Sequence, residues 1–262
     1  MLKNKRETVL ITGASSGIGY ELAHVFAENN YNLILIARRL DKLKKMKKYF
    51  SDNYKISVEI IEKDLSKPRT AEDVFYKIKD LGFDIDVLVN NAGAGHCGFF
   101  HEIDLEKHKD VIQLNIVALT ELTRLVTVDM VKRKSGGILN IASTGAYQPG
   151  PLIAVYYATK SYVLSFSEAL YNELKPYNVK VTALCPGTTN TEFAKNSGKG
   201  ELKNAMSART VAEIGYRALI KGKRVEVPGI LNKILVFMSK ITPRKLLASI
   251  VRCIQRKAMK IK

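Results

Sequence analysis

Short runs of apolar and β-branched residues recur along the chain without polar alternation, at Thr8–Thr12, Asn32–Ala37, 58–61 and 86–89. Runs of this length and continuity read as strands of a parallel sheet buried on both faces. Helical periodicity fills the intervals at 18–27 and 70–81, and Asp41 reads as the N-cap of a helix after the second strand. The same alternation continues with strands at 137–142, Val179–Leu184 and 224–227, and helical stretches at 105–133, 153–174 and 210–219. Strand–helix alternation of this kind predicts an α/β fold, a doubly wound parallel sheet of about seven strands flanked by helices. With no internal repeat, low-complexity tract or linker, residues 1–262 read as one domain. Residues 228–262 read as a helical C-terminal extension of it.

The glycines locate the chemistry. Gly13, Gly17 and Gly19 follow the first strand directly, within Thr12-Gly13-Ala14-Ser15-Ser16-Gly17-Ile18-Gly19. A strand, a glycine-rich turn and a helix place backbone N–H groups and a helix N-terminus against a pyrophosphate. The second strand ends in Ala37-Arg38-Arg39, with no carboxylate to accept ribose hydroxyls. Guanidinium forks pair with phosphate, so a 2′-phosphate and NADP(H) are expected there. Tyr156 stands four residues before Lys160 in a helical pattern, which puts both side chains on one face. A phenol beside an ammonium is expected to be tuned toward neutral pH. Tyr157 is also one helical turn from Lys160, so spacing alone leaves two tyrosines open. Asn115, an amide within an apolar helical face, needs a partner. Residues 192–207 are polar and glycine-containing, with Phe193 and Met206 as exceptions, and a loop of this length in a compact domain reads as a functional lid.

Taken together, the Thr12–Gly19 stretch, Asn90-Asn91-Ala92-Gly93, Ser143 and the Tyr156/Lys160 pair resemble the short-chain dehydrogenase/reductase family, in its shorter, soluble form. The resemblance implies a Rossmann-like fold and hydride exchange between the nicotinamide C4 and a carbonyl or alcohol carbon of a small molecule. It selects Tyr156 as proton donor, with Lys160 lowering the phenol pKa and binding the nicotinamide ribose. Ser143 would position the substrate oxygen, and Asn115 would hold a water on the proton path. For the cofactor it implies Gly13, Ser15, Ser16, Gly17, Ile18 and Gly19 at the phosphates, and Arg38 and Arg39 at the ribose. Asp64 and Leu65 would lie along the adenine, and Asn91, Ala92 and Gly93 would flank the cofactor. Pro186, Gly187 and Thr191, with Thr188 beside them, would sit over the nicotinamide. Relatives also lead one to expect a homodimer or homotetramer joined through the tyrosine-bearing helix.

Charge adds a second theme. The net charge is +17, which favours anionic partners. Residues 221–262 carry twelve Lys and Arg against one acid, Glu226, and residues 38–55 carry eight against two. Beyond Pro243, Leu246, Leu247, Ile250, Val251 and Ile254 form one helical stripe, ringed by Arg244, Lys245, Arg252, Arg256 and Lys257. Such a helix can lie on an anionic membrane surface, or pack on the body or on a second subunit. No run of eighteen uncharged apolar residues occurs, and the polar start at 1–7 argues against a signal peptide. Scattered Cys97, Cys185 and Cys253 form no disulfide framework and fit a reducing, cytoplasmic setting.

Three other readings compete. Gly13-Ala14-Ser15-Ser16-Gly17 also matches a nucleophile elbow, with Ser15, Asp86 and His108 in hydrolase order. His96, Cys97, His101 and His108 could hold a metal, although their spacing fits no usual zinc pattern. The basic charge permits a non-enzymatic nucleotide sensor or nucleic-acid binder, but no recognised nucleic-acid motif is present.

Overall fold

The computed structural model describes residues 6–193, 197 and 205–259. Seven strands form one sheet: β1 (Thr8–Thr12), β2 (Asn32–Ala37), β3 (Val58–Glu62), β4 (Val87–Asn90), β5 (Gly136–Ile141), β6 (Val179–Leu184) and β9 (Val225–Glu226). Their spatial order is β3-β2-β1-β4-β5-β6-β9, and every pairing is parallel. The order reverses between β1 and β4, and the crevice beyond the strand C-termini at such a switch point is where α/β sheets take ligands. Two short strands, β7 (Thr189–Asn190) and β8 (Met206–Ser207), pair separately. Residues 194–196 and 198–204, most of the expected closing loop, lie outside the described residues, as does the N-terminal run 1–5.

The apolar runs are continuous because each strand feeds two cores. Val9, Ile11, Leu33, Leu35 and Val89 face α1 (Gly17–Glu28), α2 (Leu40–Asn53) and α7 (Ala208–Ile220). Leu10, Ile34, Ile36, Leu88 and Ile138 face α3 (Thr70–Asp80), α5 (Leu119–Arg133) and α6 (Ala154–Leu174). Two further helices close the chain, α8 (Ile230–Ile241) and α9 (Arg244–Met259). The expectation for Asp41 fails. Arg39 holds the cap position of α2 without a side-chain bond, and Asp41 falls within the first turn, where its charge still suits the helix dipole.

The stretch Leu105–Arg133 is one long helical run, apolar and long enough by composition to cross a membrane. It lies against the sheet instead, with Leu122, Thr123, Val126 and Met130 buried. The run is α4 (Leu105–Ile112), a π-helical turn (Gln113–Ala118) and α5. The π turn is the feature that periodicity did not foresee, and it carries Asn115.

Buried amides tie the strand ends together. Asn90 Nδ2 donates to Thr123 Oγ1 and Asn140 Oδ1, both at 2.9 Å, and Asn140 Nδ2 donates to Ser167 Oγ at 2.9 Å. Thr12 Oγ1 accepts from the backbone N–H groups of Asn91 and Ala92, each at 3.0 Å. Asn91 N also reaches the Val89 carbonyl at 3.1 Å, so removing the Thr12 acceptor strands the Ala92 donor, at about 1–3 kcal/mol for such a group. Thr12→Val is therefore expected to lower the unfolding free energy by about 2 kcal/mol. Urea unfolding checks this; an unchanged midpoint would show that the Thr12 contacts are dispensable.

Candidate active site

The glycine-rich turn is shaped by what crowds it. Gly13 and Gly17 adopt φ of +65° and +57°. A Cβ on Gly13 would lie 2.9 Å from the Ala92 backbone, and one on Gly19 would lie 2.3 Å from Asn91 Nδ2. The turn can therefore reach the Asn91-Ala92 segment only without side chains. Asn91 Nδ2 in return donates to the carbonyls of Thr12 (2.9 Å) and Gly13 (3.1 Å). At the start of α1, Ser16 holds the cap position with no side-chain hydrogen bond, so the first-turn N–H groups can meet an anion.

A cleft of about 740 Å³ opens at the switch point. It is lined by Gly13, Ser15, Ser16, Gly17 and Ile18 from the turn, and by Arg38, Arg39, Asp64 and Leu65 from the ends of β2 and β3. Asn91, Ala92 and Gly93 form its floor beside Ser143, Tyr156 and Lys160. Pro186, Gly187, Thr188 and Thr191 complete the far wall. Of the expected residues, Gly19 and Asn115 lie outside this lining; they support it from behind.

Lys160 is 5% exposed, and its Nζ donates to the Ile141 carbonyl at 2.7 Å. Burial pulls its pKa down to about 8. The same Nζ lies 5.8 Å from the centre of the Tyr156 ring. Tyr156 is hydrogen-bonded to the Ser143 side chain, and Ser143 Oγ also accepts from Gly145 N at 3.0 Å. Gly95 packs flat against the Tyr156 ring, where a Cβ would come within 2.8 Å. The expected downward tuning of the phenol does not hold in this structure. Burial pushes the Tyr156 pKa up, and the Ser143 hydrogen bond only partly opposes it. Lys160 directs its ammonium to Ile141 rather than to the phenol oxygen.

The structure separates the two candidate tyrosines. The Tyr157 ring is gripped by Gly145 and Gly150, and its hydroxyl accepts from Gln255 Nε2 of α9 at 3.1 Å. It belongs to a small apolar cluster with Ile153, Leu247 and Val251. Asn115 is spent on structure at its side chain. Its Oδ1 accepts from Ala94 N at 3.0 Å, and its Nδ2 donates to Ala94 O and to Thr159 Oγ1, both at 2.9 Å. These bonds fix the backbone next to Gly93, where an added Cβ would meet both Asn115 Oδ1 and Lys160 Nζ at 3.4 Å.

The two arginines have different duties. Arg39 donates to Ser15 Oγ at 3.0 Å and to Glu192 Oε2 at 2.7 Å. Lys42 completes this clasp on Glu192 at 2.9 Å, and the two hydrogen bonds bring the Glu192 pKa down to about 2. Arg38 is 73% exposed and, among the described residues, its ion-pair partner is Asp64, at 3.9 Å. Sequence reasoning missed Glu192 and the pairing of Phe193 with Tyr156, whose ring centres are 5.1 Å apart. Tertiary proximity across more than thirty residues left no local signal.

The hydrolase set is dispersed. Ser15 binds Arg39, Asp86 accepts from Thr8 N at the opposite end of the sheet, and His108 stacks on Phe100. Among the described residues no three His, Cys, Asp or Glu side chains form a metal cluster, and His96 lines the cleft.

The short chain dehydrogenase family profile matches residues 7–202. The chain belongs to that family of oxidoreductases, whose members use nicotinamide dinucleotides and act on small molecules. It is 36% identical over 192 residues to the very-long-chain 3-oxoacyl-CoA reductase of Phaeosphaeria nodorum, covering 71% of this chain and 56% of that one. It is 32% identical over 247 residues to the very-long-chain 3-oxoacyl-CoA reductase of Rattus norvegicus, covering 91% and 76%. The chain thus spans a little over half the length of the first of these relatives. Among solved structures, a short-chain dehydrogenase from Sphingobium yanoikuyae in complex with NADPH superposes with a TM-score of 0.81 at 30% identity, over 91% of this chain and 97% of that one.

A lysine whose pKa is depressed by burial costs stability whenever it is charged. The cost is full below pH 8 and fades as pH rises toward 10.5, the unburied value. Lys160→Met is expected to be more stable than wild type at pH 7 by about 1–3 kcal/mol, with the gap narrowing as pH approaches 10. Urea titrations of the unliganded protein at both pH values check this; a less stable variant would mean that the Ile141 contact outweighs desolvation.

Proposed function

We propose that this chain is an NADP(H)-dependent reductase of a ketone group, reversible to the secondary alcohol, with a 3-oxoacyl thioester as substrate class. The observation that carries the reading is the meeting of Ser143, Tyr156 and Lys160 on the cleft wall that faces the glycine-rich turn. NADP(H), when bound, supplies or accepts the hydride. The unspent Arg38 at the end of β2, with Ala37 where a carboxylate would accept ribose hydroxyls, favours a 2′-phosphate. The relative solved with NADPH and the names of the acyl-thioester reductases point the same way.

In reduction, Ser143 and Tyr156 hydroxyls hold the carbonyl oxygen. Tyr156 gives its proton as the oxygen gains charge. Burial keeps that proton on the phenol until charge develops, and the Lys160 ammonium then stabilises the phenolate left behind. Asn115 fixes the backbone beside Gly93 and so the floor on which a water chain from Lys160 would run. Phe193, its ring tilted against that of Tyr156, gives the pocket an apolar wall suited to an acyl chain.

Fluorescence titration should give NADPH binding at least about tenfold tighter than NADH, a gap that shrinks in Arg38→Ala. Equal affinities would refute the phosphate assignment. Tyr156→Phe should bind NADPH and lose turnover of 3-oxoacyl thioesters. Tyr157→Phe should keep turnover but lose about 1 kcal/mol of stability, because Gln255 loses its acceptor. The reverse pattern would transfer the proton to Tyr157.

A further inference from the structure

A surface helix of a water-soluble protein buries its apolar stripe and shows its polar one. Helix α8 is turned the other way. Its inward positions are Asn232, Val236 and Ser239, two of them polar. Its outward positions are Ile230, Leu231, Ile234, Leu235, Phe237, Met238 and Ile241, between 47% and 72% exposed. The inward polar groups are satisfied locally: Asn232 Nδ2 donates to Pro228 O at 2.6 Å, and Ser239 Oγ to Val236 O at 2.7 Å. Helix α9 divides its apolar residues. Leu247 and Val251 pack beneath it on the Tyr157 cluster, whereas Leu246, Ile250 and Ile254 point outward at 43–57% exposure.

We propose that α8 and α9 together are a docking surface for an anionic lipid bilayer. Ten large apolar side chains on two consecutive helices exceed what a soluble surface leaves uncovered. The charges beside them are of one sign. Lys233, Lys240, Arg244, Lys245, Arg252 and Lys257 are exposed, and no acid occurs after Glu226, itself held by Lys223 at 2.5 Å and Lys233 at 3.7 Å. Long basic side chains can lay their stems on the apolar face and keep their charges at lipid headgroups. A second copy of the chain is the poorer occupant, because an isologous contact would bring this cationic rim against itself.

Docking through this face would set the cleft close to the bilayer. Asn232 of α8 abuts Gly187, where a Cβ would lie 2.3 Å from its Oδ1. Lys240 lies over the Tyr147 ring at 5.3 Å, in the turn Thr144–Tyr147 that follows Ser143. The lipid-facing helix therefore backs onto two walls of the site.

The test is co-sedimentation of the full chain with vesicles of phosphatidylcholine alone and of phosphatidylcholine with phosphatidylserine. Wild type is expected to pellet with the phosphatidylserine vesicles. L231E/L235E is expected to bind them at least about tenfold more weakly, and R244E/K245E to lose the preference for phosphatidylserine. Retained NADPH binding and an unchanged circular dichroism spectrum show that both variants fold. Absence of wild-type binding to either vesicle would overturn the proposal, as would equal binding to both. A dimer seen by analytical ultracentrifugation that L231E/L235E dissolves, without lipid binding, would assign the face to a subunit interface and overturn it too.

Discussion

The arrangement of the site depends on keeping one lysine ammonium out of water. Lys160 is buried beside the end of β5, bonded to the Ile141 carbonyl. Burying a cation with so little compensation opposes folding. The molecule tolerates it because the surrounding elements are fixed by contacts that do not involve the lysine. The π turn presents Asn115, whose three hydrogen bonds hold Ala94 and Thr159, and this leaves a glycine-sized gap at Gly93 in front of Nζ. The depressed pKa follows from burial, because the helix inserts Lys160 into the interior. A group poised near neutral pH next to a half-buried phenol is suited to stabilising a transient phenolate.

The same economy of space shapes the nucleotide end of the cleft. Gly13 and Gly19 let the turn close on Asn91, and Asn91 answers with side-chain bonds to two carbonyls of that turn. Arg39 and Lys42 are already committed to Glu192, which joins the segment after β7 to the start of α2. Arg38, among the described residues, has a long contact to Asp64. Two neighbouring arginines that look equivalent in sequence thus divide into a structural clasp and an exposed cation on the cleft.

The strands were legible because burial on both faces writes an uninterrupted apolar run, and β1, β2 and β6 fall where that run is read. The glycine-rich turn was legible because its function needs residues without side chains. What could not be read were consequences of packing. The π turn leaves the apolar periodicity of Leu105–Arg133 almost unchanged. Spacing alone leaves Tyr156 and Tyr157 equivalent; what parts them is the Ser143 bond to Tyr156 and the contacts of Tyr157 with Gly145, Gly150 and Gln255, the last nearly a hundred residues away. Asp41 has the chemistry of a cap but lies two residues beyond the cap position held by Arg39. The phenol was expected to be acidified by its neighbour, yet burial and the direction of Lys160 Nζ reverse the sign. Helix α8 is apolar in sequence, but only the fold shows that its apolar side faces out.

The most direct test of the account is the fate of a hydride label. NADPH carrying deuterium at C4, prepared in each of its two stereochemical forms, is incubated with a 3-oxoacyl thioester and the product is weighed by mass spectrometry. The account predicts that one form delivers a single deuterium to the carbinol carbon and the other leaves the product unlabelled. Alcohol formed without label from either form would contradict hydride transfer in this cleft.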